Sequence, residues 1–332
     1  MFNLVSKTLF SFVLLAMVAP ALWADDQTQK AVLITGASTG IGRHAAETLA
    51  AEGYFVYAGA RKAEDIAALS KIENVMGLRL DVTVQEEIDA AVALVTAEGR
   101  GLWGVVNNAG VNVIGPLIEI PESEVDFLFD VNVYGPYRVT KSFAPLIIES
   151  KGRIVNISSI SGTLSGGLYG VYSMSKHALE AYTDSLAREM QRLDVKVIGI
   201  EPGNFKSEIG ITRCKRMIAD SDKANYQYFE ELRVELLNNC KERVKGGHED
   251  DDELQPAKVS AAIEHALFAA NPKEHYLVVP KQEEAGWTIR KAIEELLVLN
   301  EDHEFSYSRE ELAAMIDEEL AYIRGELPEE QD

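Results

Sequence analysis

The sequence predicts an α/β fold: a Rossmann-type doubly wound parallel sheet of about seven strands, in a single domain with a C-terminal helical extension. Short apolar runs alternate with helical patterns along the chain, which is typical of a parallel sheet covered on both faces. A glycine-rich turn joins the first run to a helical stretch, as in dinucleotide-binding folds. The 332 residues are 47% hydrophobic and 26% charged, which indicates a globular protein with room for a large core.

The elements follow from the same patterns. Right-handed crossovers between parallel strands bring the carboxyl ends of all strands to one edge, where ligands bind in open α/β sheets. We predict helices over 122–150, 287–300 and 309–325 from their periodicity. The predicted strands are Lys30–Thr35, Tyr54–Ala60, Val75–Leu80, Leu102–Val106, Gly152–Ser158, Val195–Glu201 and His275–Pro280.

The turn after the first strand reads Gly36-Ala-Ser-Thr-Gly40-Ile-Gly42 and is followed by a helical stretch to about Ala51. Glycines let the backbone approach a pyrophosphate closely, and a helix N-terminus offers free N–H groups and a positive dipole. A plain tight turn is the alternative. The position between a strand and a helix favours a phosphate-binding turn.

Arg61 and Lys62 follow the second strand, where dinucleotide enzymes contact the adenosine ribose. An acid there would bind the free 2′-hydroxyl of NAD, whereas an arginine accepts the 2′-phosphate of NADP. No acid is present, so we predict NADP, with NAD as the alternative. A solvent-facing basic pair would explain the same two residues without a ligand.

The stretch Ser158–Lys176 carries the candidate chemistry. Tyr172 and Lys176 are four residues apart, so both lie on one face if a helix begins near Tyr172. A neighbouring ammonium favours a phenolate, so we expect a lowered Tyr172 pKa and acid–base activity. Ser159, thirteen residues before Tyr172, could hold the same substrate oxygen. A second such pair, Tyr137 and Lys141, has a glutamate at the equivalent earlier position, and we predict an ordinary helix surface there.

The net charge of −21 argues against nucleic acid as a partner. Residues 8–24 form an uncharged apolar run after Lys7, which predicts a signal peptide or a membrane anchor over 1–24 and an exported or membrane-associated protein. Contact with a membrane would then involve residues 8–24. Cys214 and Cys240 could pair in an exported protein, and their spacing leaves this open. Cys214 lies beside Lys215 and Arg216, which could lower a thiol pKa, but the sequence favours an ordinary cysteine over a reactive one.

Taken together, the motifs resemble the short-chain dehydrogenase/reductase family over about residues 30–280. The resemblance depends on Thr35 with the glycine turn, Asp81, Asn107 to Gly110, Asn132, Ser159, Tyr172 with Lys176, and Pro202-Gly203, all in family order. Residues 101–108 and 201–207 are most similar to the retinol and steroid dehydrogenases. We therefore expect an oxidoreductase domain over 30–281 and an acidic helical extension over 282–332.

The resemblance implies a role for each matching residue. Tyr172 would be the catalytic acid/base, Lys176 would lower its pKa and bind the nicotinamide ribose, Ser159 would hold the substrate oxygen, and Asn132 would position a water that relays protons to Lys176. Ser158 is expected to be structural. The implied cofactor-binding residues are Gly36, Ser38, Thr39, Gly40, Ile41, Gly42, Arg61, Asp81, Val82, Asn108, Ala109, Gly110, Tyr172, Lys176, Pro202, Gly203, Phe205 and Ser207.

The expected reaction interconverts an alcohol and a carbonyl by hydride transfer, without a metal. Apolar residues near the motifs suggest a lipophilic steroid, retinoid or fatty substrate; these are Leu164, Leu168, Tyr169, Phe205 and Ile209. They could equally face the core. Family resemblance implies a homodimer or homotetramer. The competing function is a catalytically silent dinucleotide-binding sensor or scaffold, since fold does not fix function.

Overall fold

Seven parallel strands form one sheet in the computed structural model, which describes residues 29–222, 226–246 and 255–326. The strands are β1 Ala31–Ile34, β2 Phe55–Ala60, β3 Val75–Arg79, β4 Gly104–Asn107, β5 Arg153–Ile157, β6 Lys196–Pro202 and β7 His275–Val278. Their order is β3-β2-β1-β4-β5-β6-β7, so the direction of winding reverses between β1 and β4. The predicted fold class is confirmed, and the reversal opens a crevice at the carboxyl edge of the sheet.

The core lies on both faces of the sheet because successive strand residues point to opposite sides. Val32 and Ile34 of β1 pack in one apolar cluster, and Leu33 packs in the other; all three are fully buried. The first cluster is covered by α1 (Gly40–Ala51) and α9 (Ala257–Phe268), and the second by α3 (Gln85–Glu98) and α5 (Gly135–Ser150). A strand buried on both faces needs a continuous apolar run, as the sequence has here.

The helix predicted over 122–150 forms with an interruption. α4 (Glu122–Phe129) and α5 are joined by a π-helical segment, Asp130–Tyr134, that contains Asn132. Such π segments insert an extra residue into a helical turn and occur frequently at functional sites. Periodicity alone predicted the helix but not the π segment.

The remaining helices border the carboxyl edge or follow the sheet. They are α2 Ala63–Leu69, α6 Gly170–Gln191, α7 Ile209–Ala219, α8 Glu230–Gly246, α10 Gln282–Asn300 and α11 Arg309–Ile323. The last two confirm the helices predicted after residue 281. The N-terminus of α11 has a capping box, in which the Ser308 hydroxyl accepts from the Glu311 N–H and the Glu311 carboxylate accepts from the Ser308 N–H.

Within the part of the chain that the structure describes, no helix combines the length and apolarity that a membrane span requires. The apolar run at residues 8–24, predicted to be a signal or an anchor, lies outside the described residues.

Candidate active site

Tyr172 and Lys176 lie one turn apart near the start of α6, as predicted. Ser159 follows β5 and caps a short 3₁₀ turn, Ile160–Gly162, where its hydroxyl accepts a hydrogen bond from the Ser161 N–H at 3.1 Å. The chain thus reaches Ser159 directly from the carboxyl end of β5 and returns along α6. This return brings the three side chains to one place at the edge of the sheet.

The second Tyr-Lys pair has a different environment. Tyr137 on α5 is 46% exposed, and its hydroxyl lies 3.5 Å from the Lys141 ammonium. This pair is on the protein surface, as the sequence comparison between the two pairs indicated. The spacing of Tyr and Lys alone does not define the site; the preceding strand and serine do.

Burial controls the ionisation of both residues of the first pair. It raises the pKa of Tyr172 to about 12, outweighing the lowering effect of the Ser159 hydroxyl. Burial also lowers the pKa of Lys176 to about 8, against the raising effect of Glu180. Our expectation of a lowered Tyr172 pKa is therefore wrong for the protein alone. The Lys176 ammonium donates to the Ile157 carbonyl at 2.9 Å and lies 5.7 Å from the Tyr172 ring centroid, too far to offset desolvation of the phenolate.

Glu180, one turn beyond Lys176, belongs to an ion cluster that we did not predict. His275 at the start of β7 lies 3.4 Å from carboxylate oxygens of both Glu180 and Glu201, and its Nε2 lies 2.8 Å from Asp184. Hydrogen bonds to Glu180 and Glu201 raise the pKa of His275 to about 11. The imidazolium therefore offsets one of the three negative charges in the cluster. The four-residue spacing in the sequence places Tyr172, Lys176, Glu180 and Asp184 on one face of a helix. It does not indicate that His275 of β7 is their partner.

The glycine turn is shaped for close approach at the carboxyl edge of β1. Gly36 and Gly40 have φ angles of +64° and +57°, a region that L side chains rarely adopt. A Cβ at Gly42 would lie 2.3 Å from the Asn108 amide nitrogen and 2.7 Å from the Gly36 carbonyl oxygen. Because α1 begins at Gly40, its unpaired first-turn N–H groups lie at this edge. A turn free of side chains at these points fits a dinucleotide phosphate.

Asn108 and Ala109 fix this turn to the end of β4. The Thr35 hydroxyl accepts from both of their N–H groups at 3.0 Å, and the Asn108 amide donates to the carbonyls of Thr35 and Gly36. Asn107 is buried between strands, where its amide donates to Thr140 and Asn156. Asn108 therefore holds the turn through backbone carbonyls, whereas Asn107 connects β4 to α5 and β5 through side chains.

Asn132 is buried in the π segment. Its side chain pairs with both backbone groups of Val111, at 2.8 and 2.9 Å, and also donates to the Ser175 hydroxyl at 3.1 Å. This amide thereby holds the loop after β4 against α6. The Asn132 side chain is thus engaged with Val111 and Ser175, and a role in positioning water stays a prediction.

Among the residues expected at the adenosine end, Arg61 has a side chain that is 59% exposed and lies 3.8 Å from the Asp81 carboxylate. Asp81 in turn accepts from the N–H and hydroxyl of Thr83. The Val82 side chain is buried in the core. The guanidinium of Arg61 is therefore accessible at the end of β2, whereas Asp81 shapes the following turn.

The loop after β6 also reaches the glycine turn. A Cβ at Gly40 would lie 3.3 Å from the Ser207 Cβ, so the two segments are in contact. Pro202 ends β6, and the Gly203 N–H donates to the Val278 carbonyl of β7. Phe205 is buried in the core cluster below the sheet, which favours the alternative that this side chain faces the core.

The substrate side is formed by segments far apart in sequence. Leu168 and Tyr169, just before α6, line a cavity of about 310 Å³ together with residues of α7 and α8. Leu168 has a φ of +67°, unusual for a bulky residue, and its carbonyl accepts from the Gly115 N–H. Cys214 of α7 and Cys240 of α8 form a disulfide, a pairing that the sequence left open.

Comparison with known proteins identifies the family. The family model described as "short chain dehydrogenase" matches residues 30–216. This chain belongs to the short-chain dehydrogenase/reductase family. The family's dehydrogenases are oxidoreductases of CH–OH groups that use a nicotinamide dinucleotide, and this is the activity class of the chain.

Named relatives include steroid and retinoid enzymes. Mitochondrial D-beta-hydroxybutyrate dehydrogenase of Mus musculus is 32% identical, with 76% of this chain and 78% of that protein covered. Estradiol 17-beta-dehydrogenase 2 of Mus musculus is 35% identical over 75% and 68% of the two chains. Retinol dehydrogenase 16 of Homo sapiens is 33% identical over 78% and 81%. The predicted similarity to retinol and steroid dehydrogenases is thus confirmed at the level of related sequences.

Solved structures support the fold. A short-chain dehydrogenase from Streptomyces avermitilis is 29% identical with a TM-score of 0.65, covering 82% of this chain and 95% of that one. ElxO with bound NADP has a TM-score of 0.60 at 23% identity, over 76% and 98%. An enzyme from Burkholderia phymatum in complex with NAD has a TM-score of 0.66 at 24% identity, over 81% and 95%.

Proposed function

We propose that this protein is an NADP(H)-dependent oxidoreductase that interconverts an alcohol and a carbonyl on a lipophilic substrate. The observation that supports this function is the meeting of Ser159, Tyr172 and Lys176 at the same sheet edge as the glycine turn. Neither half of this arrangement is specific alone. Together they provide a site that can bind a substrate oxygen and donate a proton to it, beside a site that suits a phosphate.

Tyr172 exchanges the proton. Its pKa of about 12 keeps the phenol protonated near neutral pH, so it is ready to donate to a carbonyl oxygen that the Ser159 hydroxyl also holds. Lys176, with a pKa of about 8, is mostly charged near pH 7. Its ammonium stabilises the Tyr172 phenolate that forms when the proton passes to the substrate oxygen. A bound nicotinamide supplies the hydride. Asn132 holds the loop after β4 against α6 through hydrogen bonds to Val111 and Ser175.

The cofactor is proposed to lie along the turn from Gly36 to Gly42, the Asn108–Gly110 loop and the Pro202–Ser207 segment. Arg61 favours NADP because an exposed guanidinium at the end of β2 suits a 2′-phosphate and no acid replaces it there. The named structural neighbours include one with NADP and one with NAD, so the choice depends on this chain's own residues.

A homodimer is proposed through the helices that contain Asn132 and Tyr172. An open groove of about 670 Å³ lies between α4, the π segment and α6, with Phe127, Tyr134 and Met174 among its lining residues. Tyr134 and Met174 are half exposed on this face. Burying them against a second copy would remove apolar surface from water.

Cofactor oxidation tests the proposed function. The purified full chain is assayed with NADPH and with NADH against lipophilic ketones and aldehydes. Tyr172→Phe should lower kcat by about a hundredfold to ten-thousandfold, whereas Tyr137→Phe, the matched control on α5, should leave it unchanged. Arg61→Gln should raise the KM for NADPH by about tenfold without affecting NADH, since only the phosphate is lost as a partner.

Other outcomes separate the parts of the proposal. Equal rates for wild type and Tyr172→Phe would contradict the acid–base assignment. Turnover with NADH alone would contradict the Arg61 assignment but keep the mechanism. Tight NADPH binding with no turnover of any carbonyl compound would favour the silent sensor or scaffold.

A further inference from the structure

The cavity beside Tyr169 lies on the substrate side of the proposed active site. It is bordered by Ile114 after β4, by Leu168 and Tyr169 before α6, and by one face each of α7 and α8. Tyr169 is three residues from Tyr172 and acts electrostatically on its hydroxyl. A substrate whose reacting carbon is held at Tyr172 could therefore extend past Tyr169 into this cavity.

Two arginines, Arg213 of α7 and Arg243 of α8, line the far side of the cavity. Within the described ranges, no aspartate or glutamate forms an ion pair with either guanidinium. The Arg213 Nε is buried and has no hydrogen-bond partner, and its Nη2 contacts only the Cys214 sulfur, at 4.0 Å. An unpaired buried guanidinium N–H costs free energy unless something else satisfies it.

Of the four arginines on α7 and α8, only these two lack an acidic partner among the described residues. Arg216, also on α7, pairs with Glu124 at 2.9 Å, and Arg233 on α8 pairs with Glu230 at 2.6 Å. The chain carries 53 acidic residues against 32 basic ones, so acidic partners are abundant. Two arginines that face one cavity without an acid are therefore available for an external anion.

Covalent and steric features fix the arginines in place. The Cys214–Cys240 disulfide joins α7 to α8 directly beside Arg213 and three residues before Arg243. Gly210, on the same face of α7 as Arg213, makes room for the other guanidinium, because a Cβ there would lie 3.1 Å from the Arg243 Nη2. A preorganised pair loses less conformational entropy on binding than two free side chains.

We propose that Arg213 and Arg243 form a subsite for a carboxylate on the substrate, so that the preferred substrate is a lipophilic hydroxy or oxo acid. This inference rests on the proposed function. Guanidinium groups bind carboxylates through paired, charge-assisted hydrogen bonds. The apolar side chains of Ile114, Leu168 and Tyr169 contact the carbon skeleton between the carboxylate and the reacting carbon. Steroids and retinols without an acid group leave the buried Arg213 Nε without a partner.

The test compares a medium-chain oxo acid with its methyl ester, using the purified full chain and NADPH. The measured quantity is the ratio of kcat/KM for the acid to that for the ester, determined across oxo positions along the chain. Wild type should prefer the acid by at least about tenfold at the best position, and Arg213→Gln and Arg243→Gln should each reduce this ratio by about tenfold. Arg243→Lys should retain part of the preference because it keeps the charge.

Lys215→Gln is the matched control, since it removes one exposed positive charge from α7 and should leave the ratio unchanged. If a glutamine variant fails to fold, inhibition of wild type by unreactive alkyl carboxylates and the corresponding amides gives a second measurement. Stronger inhibition by the carboxylates supports the subsite, and equal inhibition contradicts it.

The result also distinguishes this inference from the proposed function. Equal acid-to-ester ratios in wild type and both glutamine variants would overturn the carboxylate subsite while leaving the oxidoreductase assignment intact. If neither compound is reduced, the panel of lipophilic ketones and aldehydes described above decides the proposed function. In that case, melting temperatures test the subsite. The acid should raise the melting temperature of wild type more than that of Arg243→Gln, and the ester should show no such difference.

Discussion

The proposed cofactor side and the proposed substrate side of this molecule use polar residues in different ways. Around the glycine turn, the polar groups of Thr35 and Asn108 are satisfied by one another and by the backbone. In the cavity between α7 and α8, neither Arg213 nor Arg243 has an acidic partner among the described residues, and the Arg213 Nε is buried without a hydrogen-bond partner. The first arrangement builds a fixed surface, as the proposed dinucleotide site requires. The second leaves hydrogen-bonding capacity for the proposed carboxylate.

Gly42→Ala should have the largest effect on stability of the three changes because it adds a methyl where the glycine turn packs against Asn108. The added methyl would lie 2.3 Å from the Asn108 amide, which holds two carbonyls, and 2.7 Å from the Gly36 oxygen. We expect a loss of about 4 kcal/mol in the free energy of unfolding, from overpacking and broken hydrogen bonds together. Urea unfolding measures this value.

Gly286→Ala is the control for that change. Gly286 lies within α10 and has open space around its Cβ position, so alanine should stabilise by about 1 kcal/mol through helix propensity. A similar small change for Gly42→Ala would mean that the turn is not tightly packed.

Replacing both cysteines by serine should have the next largest effect, confined to the substrate side. The disulfide links residues 26 apart, and its loss should cost about 3 kcal/mol by the chain-entropy estimate. We expect a higher KM for the carbonyl substrate and an unchanged Kd for NADPH, since α7 and α8 border the cavity. An equal loss of NADPH affinity would show that the two sides are not independent.

His275→Gln should have the smallest effect of the three and a defined pH dependence. The pKa of His275 rises from 6.5 to about 11 on folding, so its contribution is fully present below pH 6.5 and is lost as pH rises toward 11. We expect a cost of about 2 kcal/mol near pH 6, less than for a fully buried pair because the side chain is 36% exposed.

The measurement is urea unfolding near pH 6 and near pH 9. Wild-type stability should fall more between these pH values than that of His275→Gln. His177→Gln, on α6 with its ring against the Ser173 carbonyl, should keep the wild-type slope. Parallel slopes for wild type and His275→Gln would contradict the proposed charge on His275.

The sequence predicted those features of the fold and of the candidate site that short stretches of residues determine. All seven strands, the start of α6 and the meeting of Ser159 with Tyr172 follow from apolar runs, glycines and spacing. The rise in the Tyr172 pKa was missed because burial depends on the whole fold, not on the spacing to Lys176. The His275 cluster joins β7 to α6 across about ninety residues of sequence, which no local pattern indicates.

The disulfide has a consequence for where the protein can be made. Cysteine pairs persist in oxidising compartments and are reduced in the cytosol. Protein produced in a reducing cytoplasm would have α7 and α8 joined by non-covalent contacts alone, and protein folded in an oxidising compartment would carry the Cys214–Cys240 link. The redox state during folding therefore determines which of two enzymes, differing by one bond beside the substrate cavity, a preparation contains.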